Sequence, residues 1–137
     1  MPIIEISSVV AAPKAKVWEY WTKPDHIVNW NFASPEWMCP KASNELVPQG
    51  KFSWRMEAKD GSMGFDFSGV YSEVVDEKHI FATLDDGRTW EIYFEAIQGK
   101  TKVTEKFEAE QINDLAMQKA GWQAILNNFS QYVEKAN

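Results

Sequence analysis

The stretch INDLAMQKAGWQAILNNFSQYV, residues 112–133, decides the fold. Within it Leu115, Trp122, Ile125, Leu126, Phe129 and Val133 fall on one stripe at helical spacing, and Asn113 or Asp114 is placed to cap the start. A helix of about twenty residues spans about 30 Å, enough to cross a small sheet. The residues before it supply that sheet. Phe52, Trp54 and Met56 alternate with Lys51, Ser53, Arg55 and Glu57, and Trp90, Ile92, Phe94 and Ala96 alternate with Glu91, Tyr93 and Glu95. That is the period of strands with one wet face and one buried face. The pairs Gln49-Gly50, Asp60-Gly61, Asp86-Gly87 and Gln98-Gly99, with Asp76-Glu77-Lys78, punctuate these runs as turns.

At the other end, the β-branched run Ile3 to Val10 predicts a first strand, stopped by Ala11-Ala12-Pro13. Lys14 to Trp21 places Val17, Trp18 and Trp21 at helical spacing, and Pro24 starts a second short helix reaching about Asn29. Trp30, Phe32 and Trp37 fall in an irregular stretch beyond it. The expectation is an α+β fold: a curved antiparallel sheet of about seven strands wrapped around the long C-terminal helix, with two short helices after the first strand. No linker divides the chain, so residues 1–137 read as one domain.

Fourteen basic against twenty acidic residues give a formal charge of -6, which argues against a nucleic-acid or anionic-membrane surface. Lys100, Lys102 and Lys106 alternate along one strand and read as a solvated outer face. Cys39 is the single cysteine, so no intrachain disulfide forms, and it reads as a packing residue. His26, His79 and Cys39 match no metal spacing, and no phosphate loop, nucleophile elbow or cofactor motif is present; neither metal nor cofactor is expected. No signal peptide or membrane-length apolar run is evident, and the cytoplasm is the expected location.

Seven tryptophans, eight phenylalanines and four tyrosines are more wide, flat side chains than a domain of this size needs for its core. They fall on every predicted wall: Trp18 and Trp122 on helices, Trp54 and Trp90 on strands, Trp30 and Trp37 between. Taking charged residues as outward turns Phe52, Trp54, Met56, Trp90, Ile92 and Phe94 toward Trp122, Ile125 and Phe129. Each alone reads as core, but rigid rings around a curved sheet leave gaps that they cannot collapse into, and the set predicts an apolar pocket. Strand parity also turns Glu105 inward with Val103 and Phe107, where desolvation would raise its pKa and make it a general acid or base, or a polar anchor. The alternative, which the residue-level reading favours, is that Glu105 pairs with Arg55 or Arg88 near the strand end or is turned out by a bulge. Tyr71 is a second polar candidate, whereas Arg55 has outward parity.

Ala12-Pro13-Lys14-Ala15-Lys16-Val17-Trp18, then Trp21-Thr22-Lys23-Pro24-Asp25-His26, then Gly69-Val70-Tyr71-Ser72-Glu73-Val74, and Gly121-Trp122 in the last helix resemble the START-like (SRPBCC) superfamily. The branch is that of homologues of the activator of the heat-shock protein 90 ATPase, also labelled polyketide-cyclase-like. The resemblance runs from about Ile3 to Val133 and implies a helix-grip fold with an apolar pocket between sheet and helix. It implies no single reaction. In relatives the segment holding Trp37-Met38-Cys39-Pro40 borders the pocket mouth, and with Phe65-Asp66-Phe67 it makes the implied site more aromatic and narrower.

Three functions follow as expectations. The favoured one is binding of a small hydrophobic molecule, aromatic or lipid-like, as carrier or sensor, with Trp18, Trp30, Trp37, Trp54, Met56, Phe67, Tyr71, Trp90, Ile92, Glu105, Trp122 and Ile125 as candidate contacts. The second is a cyclase, lyase or hydrolase in which Glu105 or Tyr71 moves a proton. The third is a chaperone-interacting domain, against which stands the lack of an exposed apolar stripe in the sequence. Aromatics exposed at a pocket rim can also support a homodimer.

Overall fold

A computed structural model describes residues 2–136. Strand β1 (Ile3–Val10) is followed by helices α1 (Lys14–Thr22) and α2 (Pro24–Ile27). Six strands come next: β2 (Trp37–Asn44), β3 (Lys51–Ala58), β4 (Gly64–Val75), β5 (His79–Leu84), β6 (Thr89–Ile97) and β7 (Lys100–Glu108). Helix α3 (Leu115–Lys135) ends the fold. The strands form one antiparallel sheet in the order β1-β7-β6-β5-β4-β3-β2, a meander to whose last strand β1 is added. This is the helix-grip architecture.

Each hairpin sits at one of the turn signals. Gln49, Glu77 and Gln98 take positive φ, as do Gly61, Gly87 and Gly99. At Gln98-Gly99 both residues are left-handed, as a two-residue turn between right-twisted strands requires. Trp37 opens β2 rather than lying in an irregular stretch. The signal was hidden because the β2–β3 register shifts between Met38 and Lys41, around Pro40, so the alternation breaks where proline cannot donate to a ladder.

The α3 helix starts at its Asp114 cap, whose Oδ1 accepts from the Met117 amide at 2.7 Å. Its C-terminal half is seated on the edge strand β1. Ser8 and Ser130 share a hydroxyl hydrogen bond of 2.7 Å, and the Gln123 side-chain amide donates to the Ser7 carbonyl at 3.1 Å. Leu126, Phe129 and Val133 are fully buried there. The first turns behave differently: Leu115, expected on the buried stripe, is 50% exposed, and Met117 and Ile112 are 60% and 90% exposed. Gln118 takes the inward position instead. Thus one end of the helix closes a solid core while the other overhangs a hollow. No helix among the described residues is long and apolar enough to cross a membrane.

Candidate functional site

The hollow is a cavity of about 360 Å³ between the concave face of the sheet and α3. Its inner end is solid: Trp21, Trp30 and Phe129 pack mutually, with ring centroids 4.8 to 4.9 Å apart. Toward the open end, Trp54, Phe67, Trp90 and Trp122 meet edge to face rather than flat. The Trp54–Trp90 and Trp90–Trp122 centroids are 5.7 and 5.8 Å apart at 83° and 76°. Rings in such T-shaped pairs touch without filling the space that they enclose. Trp122 is also pinned, lying flat on Phe107 at 3.8 Å, and at the inner end the Trp30 indole donates to the Tyr20 carbonyl at 2.9 Å.

Gly121 enlarges the hollow. A glycine inside a helix costs about 1 kcal/mol against alanine. Nothing in the packing demands it, because a Cβ at that position would meet no atom within 4 Å. The residue lines the cavity, and its missing side chain leaves room there. Among the lining residues, Ala33, Phe65, Asn113 and Met117 are exposed and mark the mouth. Gln118 ties the approach segment to the helix: its Oε1 accepts from the Glu110 amide at 2.8 Å, and its Nε2 donates to the carbonyls of Glu110 and Asn113 at 3.1 and 2.8 Å.

Glu105 is a buried carboxyl on the cavity wall, which also carries the buried polar side chains of Asn31 and Gln118. On β7 it lies opposite Ile6 of β1 and Ile92 of β6, so its side chain shares their inward face. It is 3% exposed, and its Oε1 accepts a hydrogen bond of 2.9 Å from the indole of Trp90, its diagonal neighbour across the sheet. Burial pushes its pKa up to about 8, against the smaller lowering effect of the Trp90 N–H. The pairing with arginine favoured from the sequence is therefore corrected. Arg55 bonds Glu57 at 2.9 Å and Asp66 at 3.5 Å, and Arg88 bonds Asp86 at 2.7 Å. Both arginines stay near the surface because each finds a carboxylate on its own or an adjoining segment.

Of the other candidate contacts, Trp30, Trp54, Met56, Phe67, Trp90, Trp122 and Ile125 line the cavity with Glu105. Four do not. Trp18 packs edge-on against Phe94 at 5.1 Å, and Ile92 is fully buried in the core. Trp37 meets Phe65 at 6.2 Å without reaching the cavity wall. Tyr71 stacks on Phe52 at 4.9 Å and donates its hydroxyl to Asn44 Oδ1, while Asn44 Nδ2 donates to the Thr22 carbonyl at 2.8 Å. That chain ties sheet to helix, and burial holds the Tyr71 phenol well above its usual pKa.

Gly121, Gln118 and Asn31 are wall residues that sequence reasoning missed. A polar side chain inside the apolar stripe of α3 was the available signal for Gln118. Asn31 had none, because its place depends on the turn after α2. Cys39 is buried beside Asn31, whose amide lies 3.7 Å from its sulfur. His26 Nδ1 is 2.7 Å from the Tyr132 hydroxyl, and His79 stacks on Phe81 at 4.5 Å, so the histidines stay apart. Among the described residues no group of three His, Cys, Asp or Glu side chains is placed to hold a metal ion.

A family profile described as Activator of Hsp90 ATPase homolog 1-like protein matches residues 11–134. The chain belongs to this AHSA1-like family. Two solved structures carry the likeness in sequence as well as shape. An AHSA1-like protein of Aeromonas hydrophila is 41% identical, with 98% of this chain and 94% of that one covered and a TM-score of 0.92. A Cytophaga hutchinsonii protein is 45% identical over 97% and 92% of the two chains, with a TM-score of 0.84. An Aha1 dimer from Colwellia psychrerythraea shares the fold at 14% identity, 98% and 97% coverage and a TM-score of 0.78. Among curated proteins none matches. In this AHSA1-like chain the cavity lies between the sheet and the terminal helix, and five of its lining residues are tryptophans.

Proposed function

We propose that the protein binds one small hydrophobic molecule, aromatic or lipid-like, in the cavity between the sheet and α3, as a carrier or sensor. The observation that carries this reading is a hollow of about 360 Å³ walled by Trp21, Trp30, Trp54, Trp90 and Trp122 and left open where Gly121 has no side chain. Five indoles border the void, and a flat guest would cover the apolar surface that faces it. Such a volume suits a compound of one or two rings.

A second reading is favoured by Glu105, a buried carboxyl beside the same space whose raised pKa suits proton transfer near neutrality. In that case a bound substrate is turned over and Glu105→Gln stops turnover while leaving binding intact. Contact with another protein has its own observation: Ile112, Leu115 and Met117 form an exposed apolar segment at one end of α3, which corrects the expectation of no such stripe. A homodimer, the state of the Colwellia protein, would use such a surface.

The test is native mass spectrometry of freshly purified protein followed by titration with naphthalene, reading tryptophan fluorescence. A co-purified guest that naphthalene displaces, or saturable 1:1 quenching, supports the binding role. Absence of any saturable response up to the solubility limit refutes it.

A further inference from the structure

Building on the binding role proposed above, we infer that the guest is an uncharged aromatic compound bearing a carbonyl oxygen, and that this oxygen accepts a hydrogen bond from the Glu105 carboxyl. The two oxygens of Glu105 are unequal. Oε1 receives the Trp90 indole N–H at 2.9 Å, which makes it the accepting, carbonyl-type oxygen of the acid. Oε2 has no protein partner among the described residues, and the side chain lines the cavity. In the protonated acid the hydroxyl is therefore Oε2–H, a donor with nothing in the protein to receive it. Open to the cavity, that donor is left to water when the site is empty, and a guest oxygen placed there takes the water's place. Among the described residues the buried wall atom that lacks any partner is the Trp54 indole Nε1, a second donor beside the same space.

The surroundings keep the acid neutral. Ile6 of β1 and Ile92 of β6 flank Glu105 across the sheet, and the cavity-lining residues of α3 are Met117, Gln118, Gly121, Trp122 and Ile125, all uncharged. Two other charged groups share the cavity wall, Arg88 and Glu110. Arg88 is engaged by Asp86 and by the Glu108 carbonyl at 3.3 Å, and the Glu110 carboxylate holds the Asn113 amide at 2.6 Å. Neither figures among the causes of the Glu105 shift, which are burial and the Trp90 hydrogen bond.

This arrangement discriminates among guests. A carboxylate would have to shed its water beside a single cation, Arg88, whose charge Asp86 already meets, at a cost of several kcal/mol. An amine would gain an ion pair with Glu105, but only by placing two charges in an apolar space, where desolvation offsets their attraction. A ketone, ester or quinone-type carbonyl needs no charge separation.

Four matched probes test this: naphthalene, 2-acetylnaphthalene, 2-naphthoate and 2-naphthylmethylamine, titrated by protein-observed NMR at pH 6.5 and pH 9 into the wild type, Glu105→Gln and Glu105→Leu. At pH 6.5 the wild type should prefer the ketone over naphthalene by about 3- to 10-fold, the range that one net hydrogen bond gives. Naphthoate and the amine should bind more weakly than the ketone. At pH 9, where a group titrating at about 8 is mostly ionised, the ketone should lose its advantage. Glu105→Gln should keep the preference at both pH values, because the amide oxygen still accepts from Trp90 and the amide N–H still donates to the guest. Glu105→Leu should bind ketone and hydrocarbon alike. Should that variant not fold, the glutamine variant and the wild-type pH series decide the matter alone. Naphthalene binding without a ketone preference, a preference that survives at pH 9 in the wild type, or tightest binding by naphthoate or the amine overturns the inference while leaving the binding role standing. Failure of all four probes to bind removes the binding role, and this inference with it.

Discussion

Replacing Glu105 with glutamine should change how stability depends on pH, in a direction fixed by burial. In the folded protein Glu105 holds its proton up to about pH 8, whereas in the unfolded chain a glutamate releases it near the ordinary value of 4.5. Between those values the folded state is protonated and the unfolded state is not, so each rise in pH favours unfolding. At about 1.4 kcal/mol per pH unit, carrying the group from 4.5 to about 8 costs the wild type about 5 kcal/mol of stability across the window. That is a large fraction of the total stability of a small domain. Glutamine keeps the acceptor for Trp90 but has no proton to lose. Urea denaturation from pH 5 to pH 9, followed by tryptophan fluorescence, measures both proteins, and titrations common to the two cancel in the difference. The stability of the wild type minus that of Glu105→Gln should fall steadily from pH 5 and level off above about pH 8. A difference that stays flat between pH 5 and pH 8 would refute the reasoning, since it would mean that Glu105 titrates alike in both states.

Gly121→Ala should raise stability by about 0.5–1 kcal/mol in the same urea assay, because alanine gains helix propensity and its Cβ meets nothing within 4 Å. Gly121→Trp should fill the cavity and lower naphthalene affinity at least about tenfold with the far-ultraviolet circular dichroism unchanged, a burden that a buried guest of this size cannot share with the added ring. Tyr71→Phe should cost about 1–2 kcal/mol through the lost hydrogen bond to Asn44, yet leave naphthalene affinity within about twofold, since Tyr71 lies outside the cavity. Asp114→Ala should cost about 1 kcal/mol by removing the cap of α3, read again from urea midpoints.

Much of the fold is legible in the chain because burial follows simple periods. The inward residues of β3, β6 and β7 alternate as their charges imply, and the five hairpins of the meander fall on turn residues, several of them left-handed. What escapes is set by registers that one segment cannot reveal. Parity turns Glu105 inward, but its partner is decided by the pairing of Trp90 with Phe107 across β6 and β7, which places the indole N–H over the carboxyl. Tyr71 also points inward, yet it meets Phe52 and Asn44, because the cavity's position depends on where α3 crosses the sheet. Leu115 has the right spacing for the buried stripe but lies where the helix overhangs the hollow, so periodicity overstates the reach of the core.

The central claim is that this hollow persists in solution and admits an apolar guest. Intermolecular nuclear Overhauser effects between naphthalene and the uniformly labelled protein test it most directly. Contacts should join the guest to the ring protons of Trp54, Phe67, Trp90 and Trp122 and to the Ile125 methyl groups, residues that meet only around the cavity. Contacts confined to exposed side chains such as Ile112 and Leu115, or none at saturating naphthalene, would contradict it.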